Sequence, residues 1–294
     1  MKFKTELQRR AFKRQPERTS AQLQIGHKMM IELALGVSVG IIMALTGAGG
    51  GILAVPLLVF VIGLSVSQAA PVGLLAVGMA AALGAGLGLR TGIVRYKAAL
   101  LMAGTGVLLA PVGVWLANRV DNRWLSVLFA IILLFVAYRT YLQANNDQNK
   151  IAQADAQQPP CIVSDETGRF IWTTRCAQAL ASSGSVAGLL SGLLGVGGGF
   201  VMVPALKRYT DLAMQSIIPT SLAVIALVSI SGVASSALAG KLNWTIAAPF
   251  SAGAFAGMLG GRLLSSYLAG PQLQKGFAIV SAIVATGMIG KLFA

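Results

Sequence analysis

Carboxylates and histidine are scarce in this chain. Only nine of its 294 residues are Asp or Glu, and its one histidine, His27, lies in the polar N-terminal stretch. Among the acidic residues only Glu32 touches an apolar run, at the very start of that run. Ion pumps commonly relay protons through buried carboxylates or histidines, and cation sites use oxygen ligands, often anionic. This scarcity argues against a proton relay or a cation site in the apolar runs, and a ligand bound there should be an anion.

Cysteines and catalytic constellations are also sparse. The two cysteines, Cys161 and Cys176, lie in a polar stretch, and no Cys-x-x-Cys or His/Cys spacing typical of a metal site is present. We therefore expect ordinary thiols in a loop and no metal. No Ser, His and Asp come together as a nucleophile with its base. The sequence predicts neither an enzyme nor a bound cofactor.

Apolar residues dominate instead. They make up 55% of the chain, charged residues make up 11%, and the mean hydropathy is +0.75. A soluble domain has about 25% charged residues. Several apolar runs reach the roughly 20 residues that a helix needs to cross a bilayer, and the 35 glycines allow close helix packing. The sequence predicts an all-α, multi-pass protein of the cell membrane, in bacteria the inner membrane, with the lipid bilayer as its partner.

The positive charge is concentrated at the N-terminus. The net charge is +14, and eight of the 23 Lys and Arg residues lie within residues 1–28. In a membrane protein such a segment is typical of a tail on anionic cytoplasmic lipid rather than of nucleic-acid binding. No feature of the sequence indicates an oligomeric state.

The apolar runs divide the chain into four parts. We expect a basic cytoplasmic tail at 1–30, a first transmembrane repeat at 31–142, a polar linker at 143–176 and a second transmembrane repeat at 177–294. Each repeat contains four runs, which predicts about eight transmembrane helices. The runs are 31–64, 69–89, 98–118, 124–142, 177–206, 217–240, 244–268 and 272–294.

A glycine-rich phrase occurs once in each repeat. TGAGGGILAVP at 46–56, the first glycine phrase, returns as LGVGGGFVMVP at 194–204, the second glycine phrase. A constant offset of 148 residues, without a gap, also aligns Pro71 with Pro219 and Phe129 with Phe277. The chain is therefore an internal duplication of a four-run unit.

The distribution of Lys and Arg indicates the topology. If every run crosses once and the tail is inside, nine basic residues besides the tail lie at or near inside ends and six at outside ends. If the first run of each repeat is re-entrant, the second repeat is inverted, and the counts become four and eleven. The charge rule favours eight crossings, with tail, linker and C-terminus cytoplasmic. Inverted repeats, which are common in transporters, are the alternative.

Each glycine phrase should break the first helix of its repeat. Four glycines within five residues each cost up to about 1 kcal/mol of helix stability, and the following proline lacks an N–H. Irregular backbone survives within a bilayer only when it is buried in protein or lines a wet cavity. A break frees N–H groups at the start of the next half-helix, where they and the helix dipole attract anions.

Two interpretations of the phrases remain open. The phrases could form one anion site between the repeats, or the glycines could serve only close helix crossing. Neither phrase has the Lys-Ser/Thr ending of a phosphate loop or the last glycine of a dinucleotide loop. Arg262, a basic residue inside an apolar run, is either an anion anchor or a side chain that snorkels to the interface. The candidate substrate-binding residues are Thr46, Gly47, Gly49, Gly50, Gly51, Pro56, Gln68, Gly195, Gly197, Gly198, Gly199, Pro204, Gln215, Ser216 and Arg262.

The duplicated phrases, GAGGGILAVPLL and GLLGVGGGFVMVPAL, each within a four-run unit, resemble the TauE/SafE sulfite exporter family, also called the toluene-sulfonate uptake permeases. The resemblance covers about residues 31–142 and 177–294. It implies a bacterial permease that moves small sulfur-containing anions such as sulfite, sulfoacetate or other organosulfonates. The alternative function is a membrane-embedded structural or assembly protein whose glycines serve only packing.

Overall fold

The architecture is helical throughout the described part of the chain. A computed structural model describes residues 26–146, 160–161, 173–268 and 271–293. Apart from one isolated β-bridge between Cys161 and Thr210, every regular element in these ranges is a helix. The helices are α1 Gly26–Thr46, α2 Val66–Arg90, α3 Tyr96–Arg119, α4 Asn122–Asn146, α5 Thr174–Leu194, α6 Gly199–Tyr209, α7 Met214–Leu238, α8 Trp244–Leu268 and α9 Pro271–Phe293.

Length and apolar composition make six of the described helices, α1 to α5 and α7, candidates for crossing a membrane. The predicted all-α membrane class is therefore confirmed. The helix bounds repeat at the offset of 148 residues. Helix α5 begins and ends 148 residues after α1, and α7 does the same relative to α2.

The return segment, residues 47–62, lies between α1 and α2 in the chain. It consists of a 3₁₀ helix, Gly47–Leu53, an α-helical turn, Ala54–Leu57, and a π-helical turn, Leu58–Ile62. Its counterpart in the second repeat is α6, Gly199–Tyr209.

Helices α2 and α7 are equivalent by duplication, yet they cross in opposite directions. Gly88, late in α2, packs on Pro219, early in α7, whereas Leu74, early in α2, packs on Gly232, late in α7. Equivalent helices of two repeats with the same orientation would run parallel. The two repeats are therefore inverted relative to each other.

Helices α3 and α5 run parallel and in very close contact. The positions of Gly184 and Gly192 along α5 lie against Met102 and Ala110 along α3, respectively. At both positions a β-carbon on the glycine would overlap backbone of α3. Glycine is what permits this helix pair to pack backbone against backbone.

Helix α7 also runs parallel to α3. The N–H of Arg95 donates to the hydroxyl of Thr220 at 3.1 Å, and the hydroxyl of Ser231 donates to the carbonyl of Val107 at 2.9 Å. Because α5 and α7 are both parallel to α3, the chain must turn back between them. Helix α6 is this returning element, so α5 and α6 form a re-entrant hairpin.

The first repeat has the same hairpin. Gly36 and Gly40 of α1 lie on Phe250 and Ala254 of α8, so these helices are parallel in the same way as α5 and α3. Each repeat thus has one re-entrant hairpin followed by three further helices, so α1 and α5 turn back within the bundle although they are long and apolar enough to cross. These directions correspond to the inverted alternative and not to the eight crossings that the charge count favoured, because the glycine break reverses the chain instead of kinking it.

Inversion places the starts of α1 and α5 at opposite faces of the bundle. We call the face where α4 ends and α5 begins the linker face, and the face where α1 begins the opposite face. Helices α2 and α7 lie at the centre, and they are the most buried of the six candidate spans.

Candidate functional site

The second glycine phrase forms a tight reversal that only glycine tolerates easily. Gly195 ends α5 with a φ of 73°, and Gly197 and Gly198 follow with φ values of 72° and 71°. Gly198 is the N-cap of α6 and makes no side-chain cap hydrogen bond. The first N–H groups of a helix have no intrahelical acceptor. In α6 the N–H groups of Val201 and Met202 donate to the carbonyl of Gly198 at 3.0 and 3.2 Å, so the donors at the start of the helix without an intrahelical acceptor are those of Gly199 and Phe200.

The first glycine phrase reverses the chain in another way. Only Gly47 has a positive φ, 76°, and the chain continues as the 3₁₀ helix that includes Gly49. Gly50 folds back onto α1, where a β-carbon would lie 2.6 Å from the backbone of Met43. Pro56 is buried in the α-helical turn that follows. The two phrases are alike in sequence but differ in local conformation.

The two phrases meet at the crossing of α2 and α7. A β-carbon on Gly51 would lie 3.0 Å from Val77 of α2 and 3.3 Å from the carbonyl oxygen of Val196 in the second phrase. A β-carbon on Gly197 would lie 2.8 Å from the same Val77 and 2.8 Å from Ile225 of α7. Backbone from both repeats therefore converges near the middle of the bundle.

A cavity of about 570 Å³ leads towards this convergence. Its walls come from the second half of α4, from α5 and from α6, and Met214 at the start of α7 adds to them. These elements place it on the linker-face side of the bundle. Three of the residues predicted from the sequence line it, namely Thr46, Gly199 and Pro204.

Three cations and no carboxylate line this cavity. Arg139 comes from α4, and Lys207 and Arg208 come from the last turn of α6. Basic residues are favourable at a helix C-terminus because they complement the helix dipole. The remaining wall is largely apolar and includes Phe135 and Phe200. The cavity thus combines positive charge, backbone donors and apolar surface.

The other twelve of the fifteen predicted residues are not among the described residues that line this cavity; eight of them belong to the glycine phrases, and the remaining four are Gln68, Gln215, Ser216 and Arg262. Gln68 caps α2, since its side chain accepts from the N–H of Ser65 at 3.2 Å and its own N–H donates to the Ser65 hydroxyl at 3.3 Å. Gln215 is exposed at the start of α7, and Ser216 accepts the Thr220 hydroxyl through its carbonyl. Arg262 is exposed on α8 and is not part of the cavity wall.

The sequence analysis missed the three cations of the cavity. It counted Arg139, Lys207 and Arg208 only as charges that orient the protein. A signal was present, because the offset of 148 residues aligns them with Gly287, Val59 and Phe60, which carry no charge. A charge that appears in one copy of a duplicated unit and not in the other is a candidate for function.

The cysteines form a disulfide, so the expectation of ordinary thiols was wrong. Cys161 and Cys176 are bonded across 15 residues, and both are fully buried. The N–H of Cys161 also donates to the carbonyl of Tyr209 at 3.0 Å. Two cysteines are too few for a disulfide framework but sufficient for one bond. The disulfide fixes residues 160–161 of the linker to the first turn of α5, and the hydrogen bond to Tyr209 holds them beside the end of α6 and the cavity.

Comparisons with known proteins find relatives among membrane transporters. The family described as sulfite exporter TauE/SafE matches residues 32–288. A probable membrane transporter protein of Xylella fastidiosa strain Temecula1 is 27% identical over 270 residues, which are 90% of this chain and 97% of the relative. The probable membrane transporter protein YunE of Bacillus subtilis is 26% identical over 79% of this chain and 86% of its own length. No solved structure matches. These findings describe a multi-pass membrane transporter, and the chain belongs to the sulfite exporter TauE/SafE family.

Proposed function

We propose that this protein is a permease for small sulfur-containing anions such as sulfite, sulfoacetate or other organosulfonates, with the cavity as its entrance from the linker face. The carrying observation is that three cations and no carboxylate line a cavity that reaches the start of α6. An oxyanion that leaves water needs hydrogen-bond donors and positive potential. The cavity offers both.

The start of α6 supplies the donors in this proposal. Hydrogen bonds to a charged group contribute roughly 1.5–3 kcal/mol each, so the two N–H groups of Gly199 and Phe200 offset part of the anion's desolvation. Gly199 lines the cavity, and the absence of a side chain lets the anion approach the backbone. The hydroxyl of Thr46, which bonds the carbonyl of Ile42 at 2.7 Å, lies at the same end of the cavity.

The cations supply the attraction. Lys207 and Arg208 are exposed and Arg139 is half-buried. Exposed charges act over about one Debye length, roughly 8 Å at physiological salt, so they raise the local concentration of anions at the entrance. The apolar wall accommodates the carbon part of an organosulfonate.

The disulfide supports an extracytoplasmic linker face. Disulfides form and persist in oxidising compartments such as the periplasm and are rare in the cytosol. Cys161 and Cys176 both belong to the linker face, because Cys176 lies in the first turn of α5. In this proposal α1 begins at the cytoplasmic face, and the cavity is open to the outside.

Flux of labelled sulfoacetate into liposomes that contain only this protein tests the proposal. We expect saturable uptake. Lys207→Gln and Arg208→Gln should raise KM several-fold and weaken its dependence on salt, because each removes a cation from the entrance. Lys241→Gln is the matched control, since Lys241 is an exposed cation between α7 and α8 at the opposite face. Flux that does not saturate, or equal effects of all three variants, would contradict the proposal.

The second candidate is a structural or assembly protein. The observation in its favour is that many glycines serve packing, as Gly36 does on Phe250 and Gly188 does on Gly106. Packing alone does not require a cavity with three cations and no carboxylate. The absence of any saturable flux from liposomes that contain folded protein would favour this second candidate.

A further inference from the structure

The inverted duplication predicts a second cavity related to the first. By the offset of 148 residues, the cavity walls in α4, α5 and α6 correspond to α9, α1 and the return segment, respectively. An equivalent cavity would open at the opposite face. Whether that space is open or closed shows which state of the permease the structure represents.

The equivalent space is closed. Val203 and Pro204 are half-buried and Lys207 is exposed, whereas their counterparts Val55, Pro56 and Val59 are all buried. The structure is therefore open at the linker face and shut at the opposite face.

Phe60 and Gly287 contact each other at the corresponding place on the closed side. A β-carbon on Gly287 of α9 would lie 3.3 Å from the tip of the Phe60 ring. The counterparts of Phe60 and Gly287 on the open side are Arg208 and Arg139, which both line the cavity. The residues that meet at the closed mouth thus correspond to two arginines at the open mouth.

We propose that Arg208 and Arg139 form an anion-dependent gate: the linker face closes only when an oxyanion lies between the two guanidinium groups. This inference rests on the proposed function and adds the residues that couple binding to closure. If the linker face closes in the arrangement seen at the opposite face, Arg208 comes to lie against Arg139, just as Phe60 lies against Gly287. Two like charges at contact repel each other, and the repulsion is stronger in a partly buried site than in water.

An oxyanion removes this repulsion and supplies acceptors for both side chains. The guanidinium group presents a planar set of donors that pairs with carboxylate, phosphate or similar oxygens in a bidentate manner. The ligand class is therefore an anion with at least three oxygens, such as a sulfonate, that two arginines can hold from opposite sides. The empty permease stays open to the linker face, and the loaded permease closes.

Thiol accessibility measures this closure without any flux. Val203→Cys places a thiol in the cavity, and the native cysteines do not compete because they are bonded to each other. A membrane-impermeant methanethiosulfonate applied at the linker face should label this thiol rapidly. Saturating sulfoacetate should slow the labelling by roughly tenfold, which corresponds to a shift of about 1.4 kcal/mol towards the closed state. Sulfite is not used, because it cleaves disulfides.

The decisive variants replace Arg139 and Arg208 by the residue types of their counterparts on the closed side, Gly287 and Phe60. In Arg139→Gly combined with Arg208→Phe, the open mouth acquires the pair found at the closed one, and we expect slow labelling of Val203→Cys even without sulfoacetate. In Arg208→Gln the repulsion is also removed, so we expect labelling that is slower than in the parent without sulfoacetate and that sulfoacetate slows little further. Lys241→Gln should behave as the parent does.

The outcomes separate the gate from the function. Saturable flux together with sulfoacetate-independent labelling of Val203→Cys would overturn the gate and leave the permease intact. If the double variant does not reach the membrane, Arg208→Phe alone replaces it, and labelling as fast as in the parent would again overturn the gate. Absence of flux in the parent would instead contradict the proposed function.

Discussion

Replacement of Gly198 by alanine should lower the free energy of unfolding, and this loss of stability should be larger than an effect on anion binding alone would explain. Gly198 has a φ of 71°, and its β-carbon would lie 2.6 Å from the carbonyl oxygen of Ala187 and 3.0 Å from the Ala187 side chain. The left-handed conformation costs a residue other than glycine roughly 1–2 kcal/mol, and overpacking adds roughly 1–3 kcal/mol. Together they should cost about 2–5 kcal/mol of the free energy of unfolding.

Two further variants separate strain, overlap and ligand approach. Gly240 has a similar φ, 67°, but its β-carbon would meet nothing within 4 Å. Gly240→Ala should therefore cost only the roughly 1–2 kcal/mol of the left-handed conformation. Gly199 lines the cavity, begins α6 and does not have a positive φ. Gly199→Ala should therefore impair anion transport with a smaller effect on stability.

Thermal unfolding in lipid nanodiscs and sulfoacetate flux per folded molecule are the two measurements. We expect stability to fall in the order parent, Gly240→Ala, Gly198→Ala. We expect flux per folded molecule to fall most in Gly199→Ala. Equal stability of Gly198→Ala and Gly240→Ala would refute the packing argument, and unchanged anion affinity in Gly199→Ala would refute an anion at the start of α6.

Three more predictions concern other parts of the molecule. Arg262→Ala should leave the flux largely unchanged, because Arg262 is exposed on α8 and does not line the cavity; loss of most of the flux at normal protein levels would instead make Arg262 an anion anchor outside the cavity. Cys176→Ser opens a loop of 15 residues and should cost about 3 kcal/mol of stability, and in the native protein an impermeant thiol reagent should label intact cells only after reduction. Gly188→Ala should separate α3 from α5 and lower the unfolding temperature, because its β-carbon would overlap Gly106, whereas Gly104→Ala, with nothing within 4 Å, should leave the temperature unchanged or raise it.

The sequence predicted the helices well because apolar periodicity and length are local properties. The offset found in the glycine phrases also relates the helix bounds, since α1 and α5 begin at Gly26 and Thr174, 148 residues apart. The break near each phrase was likewise predictable, because glycine and proline oppose a continuous helix.

The directions of the helices did not follow from the sequence in the same way. A glycine-rich break is compatible with a kink and with a reversal. The difference depends on whether residues such as Gly195, Gly197 and Gly198 adopt positive φ, and this is decided by packing against α2 and α7. The charge rule could not replace that information, since it counts residues without knowing which of them face a cavity.

The sequence also predicted only the part of the site that depends on local features. Thr46, Gly199 and Pro204 were expected from the phrases and do line the cavity. Arg139 joins them from a helix that is distant in sequence, and only the tertiary arrangement of α4 beside α6 shows it. The disulfide was missed for a similar reason, because the folding of the linker onto Tyr209 is not a local property.

The charges of the cavity also explain why the count of basic residues indicated the wrong arrangement of helices. For re-entrant hairpins, the count by sequence position assigns eleven basic residues to the linker face, and four besides the eight of the tail to the opposite face. The two faces are then nearly balanced at eleven and twelve. Arg139, Lys207 and Arg208 line the cavity, and the proposed function assigns them to a ligand rather than to the orientation of a loop. Without these three cations, eight basic residues remain at the linker face against twelve at the opposite face. The positive-inside rule then places the start of α1 at the cytoplasmic face. The disulfide independently favours an oxidising environment at the linker face, so charge and redox chemistry agree with the orientation proposed above once the cavity cations are left out of the count.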